Sequence, residues 1–187
     1  DEMVKLLIKA KEILDLATKQ GINLDFDVEI DNSAPTSYKD IIYNQNELSY
    51  IQSEVKSLEK TYNSEVERLT LNNLDIYLDR TKEINHKKFL YLELDNIEMF
   101  LVKAIADNLC NKFESVLIFI ANIKEDNSVN FISRSSIKDV NAGLLMKTIT
   151  TAFDGNGGGS PTFAQGGIKS KAHLKEIKEK IEDMLNE

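Results

Sequence analysis

Cysteine occurs once in these 187 residues, as Cys110. No internal disulfide framework and no paired-cysteine metal knuckle can therefore form, which suits a reducing compartment and a cytoplasmic protein. Histidine occurs twice, His86 and His173, 87 positions apart. Neither has a second His, Cys or paired carboxylate at ligand spacing, so no zinc or other metal site is expected, and no catalytic residue is assigned. No apolar run approaches the roughly 18 to 20 residues of a membrane span, and no basic region precedes an apolar one at the N-terminus, so neither a membrane partner nor a secretory leader is expected. The chain begins with Asp1 and not Met, and is expected to be a piece of something longer. What remains is 42% hydrophobic and 29% charged, enough apolar material for a folded core.

Basic residues are outnumbered 23 to 31, for a formal net charge of −8. The excess is uneven. Between positions 129 and 175, Arg134, Lys138, Lys147, Lys169, Lys171 and Lys175 face only Asp139 and Asp154, a local charge of +4. Six of the eight glycines fall in the same segment, between Gly155 and Gly167. An acidic chain with one basic, glycine-rich stretch can still bind a polyanion locally.

Residues 1–86 are expected to form a helical coiled-coil subdomain. Met3, Leu7, Ala10, Leu14 and Ala17 recur at helical spacing before Gly21. Residues 21–39, with Pro35, read as an irregular linker, and Ser37 with Asp40 resembles a capping box. Leu48, Ile51, Val55, Leu58, Tyr62, Val66 and Leu69 then form a heptad seam on the order of 33 Å long at about 1.5 Å per residue. The first helix is too short to cover that seam, so a homodimer or another domain is expected to complete it. An intramolecular hairpin is the alternative.

Residues 87–187 are expected to form a compact α/β globular subdomain with a glycine-rich loop, making the fold class α+β or α/β: a helical hairpin followed by a mixed globular domain. Residues 89–94 and 116–121 are apolar runs of buried-strand length, with a helix between them that Asn96 could cap. Residues 124–128 read as a hairpin turn into a strand at 129–133. A helix through Leu145 and Ile149 leads into the glycines, and Ser170 can cap a last helix through Leu174, Ile177, Ile181 and Met184. Residues 74–84 fit either a helical tail or irregular structure.

The glycine cluster is neither a Walker loop, since Ser160-Pro161 follows Gly159, nor a dinucleotide fingerprint, since position 160 is Ser and a helix precedes the cluster. Glycine-rich backbone can offer N–H groups to phosphates, or it can serve only close packing. The order of a helix holding Asn141-Ala142-Gly143-Leu144-Leu145-Met146-Lys147, then Gly157-Gly158-Gly159-Ser160-Pro161, then Ala164-Gln165-Gly166-Gly167 resembles the C-terminal domain of bacterial alanyl-tRNA synthetases, whose globular part is similar to the accessory domain of the DHH phosphoesterases. The resemblance implies a tRNA-binding and scaffolding module that holds the outer corner of tRNA (tRNA-Ala) and links aminoacylation to editing. It implies no catalysis by this segment and no cofactor in it, with ATP, Mg and Zn belonging to the parent alanine-tRNA ligase and its other domains as partners. RNA contacts are expected from Lys147, Gly157, Gly158, Gly159, Ser160, Gln165, Gly166, Gly167, Lys169 and Lys171. Asn156 interrupts the glycine run and Ser160 stands where the family tends to place Arg or Lys, which shifts the electrostatics to the three lysines. A coiled-coil dimerisation module and the substrate-binding accessory domain of a DHH-type phosphoesterase are the alternatives. The second would need its metal-binding Asp and His elsewhere, because no Asp-His-His triplet is present. Phe163 could stack on a base, or anchor the loop to the sheet.

Overall fold

The computed structural model describes residues 2–28 and 38–187; Pro35 and the Ser37 capping position lie outside the described residues. The chain divides into two compact units, Asp1–Leu69 and Thr70–Glu187. A boundary at residue 86 would cut through a β-hairpin of the second unit.

In the first unit, α1 (Glu2–Lys19) and α2 (Tyr38–Leu71) pack through a small core. α1 ends where Gly21 takes a left-handed φ of 72°. Ala10 and Ile13 of α1 lie against Ile51, Val55 and Leu58, which are all buried. The seam's centre is therefore covered from within the chain, contrary to the expectation from the length of α1. The missing cover is the supposed linker: in 22–28, Ile22 is buried, and Leu24, Phe26 and Val28 pack half-buried on the core while Asn23, Asp25 and Asp27 face outward. Leu48, Tyr62 and Val66 are only partly covered, and Leu69 is exposed.

The second unit is a six-stranded mixed sheet in the order β1-β2-β3-β4-β6-β5. A 3-10 helix (Leu74–Arg80) leads into β1 (Lys82–Ile84), which pairs antiparallel with β2 (Lys87–Asp95). α3 (Met99–Asn111) crosses to β3 (Leu117–Ile123), parallel to β2, and a tight turn returns as β4 (Val129–Ser135). After α4 (Ala142–Ala152), β5 (Asn156–Gly159) and β6 (Phe163–Ile168) form a hairpin whose second strand pairs with β4. α5 (Leu174–Asn186) closes the chain, entered by a 3-10 turn that Ser170 caps by accepting from the Ala172 N–H. The glycine cluster is thus strand at both ends and not a loop.

Side chains alternate across this sheet. Phe89, Phe119, Ala121, Phe131, Ala164 and Ile168 point to one face and meet Leu145, Met146 and Ile149 of α4 and Ile177 and Ile181 of α5. Leu90, Leu92, Ile118, Ile120 and Ile132 point to the other, under Val102, Ile105 and Leu109 of α3. α3 is capped by Glu98 without a side-chain bond, not by Asn96. Asn96 instead takes a left-handed φ of 49° and donates its N–H to the Ile123 carbonyl at 2.7 Å. Buried Asn122 holds the same turn, accepting from the Ile97 N–H at 3.0 Å and donating to the Ile97 carbonyl at 2.7 Å.

Candidate nucleic-acid interface

The hairpin's glycines have two different jobs. α4 lies so close to β5 and β6 that side chains have no room between them. A Cβ on Gly143 would stand 2.3 Å from the Gly159 oxygen, one on Gly157 2.8 Å from Met146 Cγ, and one on Gly166 2.8 Å from Thr150 Cγ2. Gly155 and Gly159 are blocked by backbone oxygens, those of Gly167 at 2.1 Å and Phe163 at 2.2 Å. These positions are small because of packing. Gly158 is different: a Cβ there would meet nothing within 4 Å, and its φ is not positive.

Because Gly157 faces α4, its neighbour Gly158 faces the opposite side, together with its cross-strand partner Gln165. Asn156 and Gln165 are exposed, and Asn130 follows one strand further in, opposite Gly167. Asn130, Asn156 and Gln165 with Met99 line a groove of about 360 Å³. Its lining joins apolar Met99 and Phe131 to the backbone of Gly157 and Gly166 and to the three carboxamides, which can both donate and accept, Asn130 already donating to Met99 Sδ at 3.7 Å. Towards the hairpin turn, Arg134 lies with its guanidinium 4.9 Å from the Phe163 ring centroid and binds the Asp107 carboxylate, and that hydrogen bond raises the guanidinium pKa further. Phe163 is half-buried against the core under α3, so it anchors the hairpin to the sheet.

The N-terminus of α4 is closed to an anion. The Ala142 and Gly143 N–H groups donate to the Pro161 and Ser160 carbonyls, each at 2.9 Å, and the Asn141 side chain accepts from the Leu144 N–H at 3.0 Å. Ser160 is equally committed: its Oγ accepts from the Phe163 N–H at 3.1 Å and its own N–H donates to the Phe163 carbonyl at 2.8 Å. Of the lysines, Lys147 is exposed on α4, in the layer opposite the open side of Gly158. Lys169 and Lys171 are exposed just past β6, at the Asn156 and Gly167 end of the groove, where the Lys171 N–H holds the Asn127 carbonyl at 2.9 Å. The three do not gather round one point. Arg134, Asn130 and Asn156 were absent from the residues expected to meet RNA. Strand alternation of Asn130, Ile132 and Arg134 was the available signal for two of them.

The model of the DHHA1 domain matches residues 86–187. Among curated proteins, the chain is 29% identical over 161 residues to the alanine–tRNA ligase of Rickettsia bellii, a match that takes in 84% of this chain and 18% of that protein. It is 31% identical over 127 residues to that of Endomicrobium trichonymphae, covering 66% and 14%. The chain thus spans less than a fifth of either relative's length. Among solved structures, the C-Ala domain from Aquifex aeolicus alanyl-tRNA synthetase superposes with a TM-score of 0.53 at 24% identity, over 57% of this chain and 98% of that one. RecJ from Thermus thermophilus, in complex with Mg2+, gives 0.53 at 15% identity, over 74% and 20%. At these identities the likeness establishes a shared α+β fold.

Proposed function

Because the chain belongs to the DHHA1 domain family, we propose that it is the tRNA-binding and scaffolding module of an alanyl-tRNA synthetase, holding the outer corner of tRNA while other domains of that protein aminoacylate and edit in the cytoplasm. The alanine–tRNA ligase relatives and the C-Ala fold support this reading. The observation that carries it is Gly158, the hairpin glycine whose smallness packing does not explain, set on an open face opposite Gln165, with the groove of Asn156 and Asn130 further along the same side of the sheet. A backbone without a side chain lets a sugar-phosphate chain approach its main-chain groups, and the carboxamides supply donors to phosphate and 2′-hydroxyl oxygens. Lys169 and Lys171 add charge at the groove's end. Contacts of this kind hold RNA without reading base edges.

Among the described residues no group of three or more His, Cys, Asp or Glu is placed to hold a metal ion. The ATP, Mg and Zn chemistry that the resemblance implies for a parent synthetase belongs, in this proposal, to its other domains. Among the described residues no helix is long and apolar enough to cross a membrane. Any self-association would use the outer ends of the α2 stripe, since Ile51, Val55 and Leu58 are already covered. The test is binding of intact tRNA to the full chain across a salt series. Affinity should fall linearly with log salt. Absence of binding even at low salt refutes the reading.

A further inference from the structure

β5 is the outermost strand on its side of the sheet, and its first two residues form the chain's one Asn-Gly pair: of all the asparagines, only Asn156 is followed by glycine. Packing accounts for the second member. A Cβ on residue 157 would stand 2.8 Å from Met146 Cγ and 3.0 Å from both Gly166 Cα and Thr150 Cγ2, so α4 requires glycine there whatever precedes it. Asn156 answers to no such demand. It is exposed on the opposite side of the strand, in the wall of the carboxamide groove, and its side chain has no hydrogen-bond partner among the described residues.

The backbone of this pair is open where it matters. In an antiparallel ladder, residue pairs that exchange hydrogen bonds alternate with pairs whose N–H and C=O groups point away from the partner strand. The Ser160 N–H donates to the Phe163 carbonyl at 2.8 Å. Counting back along the register, Gly158–Gln165 and Asn156–Gly167 are bonded pairs and Gly157–Gly166 is not. The Gly157 N–H therefore points out of the sheet edge, where no further strand lies, and no described residue accepts from it. With no side chain on Gly157, nothing hinders its nitrogen. Asp154-Gly155, two positions earlier, has the same spacing but not the same freedom, because the Gly155 N–H donates to the Thr150 carbonyl at 2.8 Å.

We propose that Asn156 is a self-modification site whose conversion weakens the groove. The Gly157 nitrogen attacks the carboxamide carbon of Asn156 and the bond from that carbon to the side-chain nitrogen breaks. Ammonia leaves with the Gly157 proton. The five-membered succinimide then takes up one water at either of its carbonyls and opens to aspartate or isoaspartate, so that one water is consumed and one ammonia released. Asn156–Gly167 is the only bonded pair that has to open for the nitrogen to reach the carboxamide, and it is the last of an edge strand, where local opening is easiest. The effect on RNA rests on the tRNA-binding reading above. Either product replaces an N–H donor with a negative charge two residues from Gly158 on the same side of the strand, and isoaspartate also lengthens the backbone opposite Gly167.

The full chain is held at mildly alkaline pH, folded in one sample and unfolded in urea in another, and peptide mass mapping with fragmentation that distinguishes isoaspartate reads both sites. Residue 156 of the folded chain should become a mixture of aspartate and isoaspartate, within about a hundredfold of the unfolded rate, the scale of opening two hydrogen bonds. The ratio of isoaspartate at 154 to that at 156 should be lower in the folded chain than in the unfolded one. Asn156→Gln, which would have to close a six-membered ring, should show no conversion at 156. Conversion slowed more than about a hundredfold by folding, or a 154-to-156 ratio that folding leaves equal or raises, would overturn the site. Fresh and converted chains, separated by charge, are then compared for binding of intact tRNA. Affinity of the converted chain should be lower by about threefold or more, and a smaller loss would overturn the effect on the groove. If the fresh chain itself binds no tRNA, the tRNA-binding reading fails while the mass map still decides the chemistry at Asn156.

Discussion

Replacing Gly143 with alanine should destabilise the second unit, and the sign of the effect is the informative part. In an exposed helix interior this change gains about 1 kcal/mol, because alanine has less backbone freedom to lose than glycine. At Gly143 the added methyl would stand 2.3 Å from the Gly159 oxygen, 2.7 Å from its carbonyl carbon and 3.0 Å from the Ser160 oxygen, all backbone atoms of the hairpin. Helix and hairpin must separate, an overpacking cost of roughly 1 to 3 kcal/mol. Separation also loosens the bonds from the Ala142 and Gly143 N–H groups to the Pro161 and Ser160 carbonyls, worth about 1 kcal/mol each. Set against the propensity gain, the net is about 2 to 4 kcal/mol of destabilisation. For a domain of this size that lowers the melting temperature by on the order of 10 °C. Thermal and urea unfolding followed by circular dichroism measure it, with Gly158→Ala as the matched control, where the same methyl meets nothing and stability should change by less than about 0.5 kcal/mol. A Gly143→Ala protein as stable as the parent, or more so, would refute the account of the α4 contact.

Other outcomes follow from the same geometry. Leu58→Asp places a charge among Ala10, Ile13 and Val55, and should cost the helical hairpin roughly 3 to 5 kcal/mol, visible as loss of helicity at lower urea. Tyr91 should ionise well above the ordinary tyrosine range in an alkaline absorbance titration. Its folded pKa lies above the unfolded value of about 10, so its contribution is intact below that pH and is lost as pH rises further, and Tyr91→Phe should flatten the alkaline decline in stability. Replacing Lys169 and Lys171 with alanine should reduce the salt slope of tRNA binding by roughly 0.7 to 0.9 for each phosphate that is no longer neutralised, while Lys147→Ala, in the layer opposite the groove, should leave it unchanged.

How far the sequence foretold this molecule depended on whether the causes were local. The helical period of Met3 through Ala17 and Ile51 through Leu58, the apolar runs of β2 and β3 and the cap at Ser170 all act over a few residues, and all are present. Residues 22–28 were misread because their period is two and they lie on a helix, with no partner strand to announce them. The glycine hairpin was invisible as strand because glycine has no strand propensity of its own. Pairing of β6 with β4 and the close approach of α4 impose the extended form, and both come from residues distant in sequence. For the same reason Gly157 and Gly158 are indistinguishable as letters, although one faces Met146 and the other open space. Asn96 had the right chemistry for a cap, but the Ile123 carbonyl claims its N–H and turns the chain early.

The central claim is that RNA approaches the backbone of β5 on the side away from α4. Gly158→Val tests it most directly, because valine is a strand former, its Cβ has free space, and any loss of binding can be separated from loss of fold. Equilibrium binding of intact tRNA to the wild-type and variant chains, with melting curves of both, gives the two readouts together. The account predicts tRNA affinity reduced about tenfold or more, as expected when main-chain bonds to a charged phosphate are blocked, at an unchanged melting temperature. Undiminished affinity in a folded Gly158→Val chain would contradict it and place the RNA surface elsewhere.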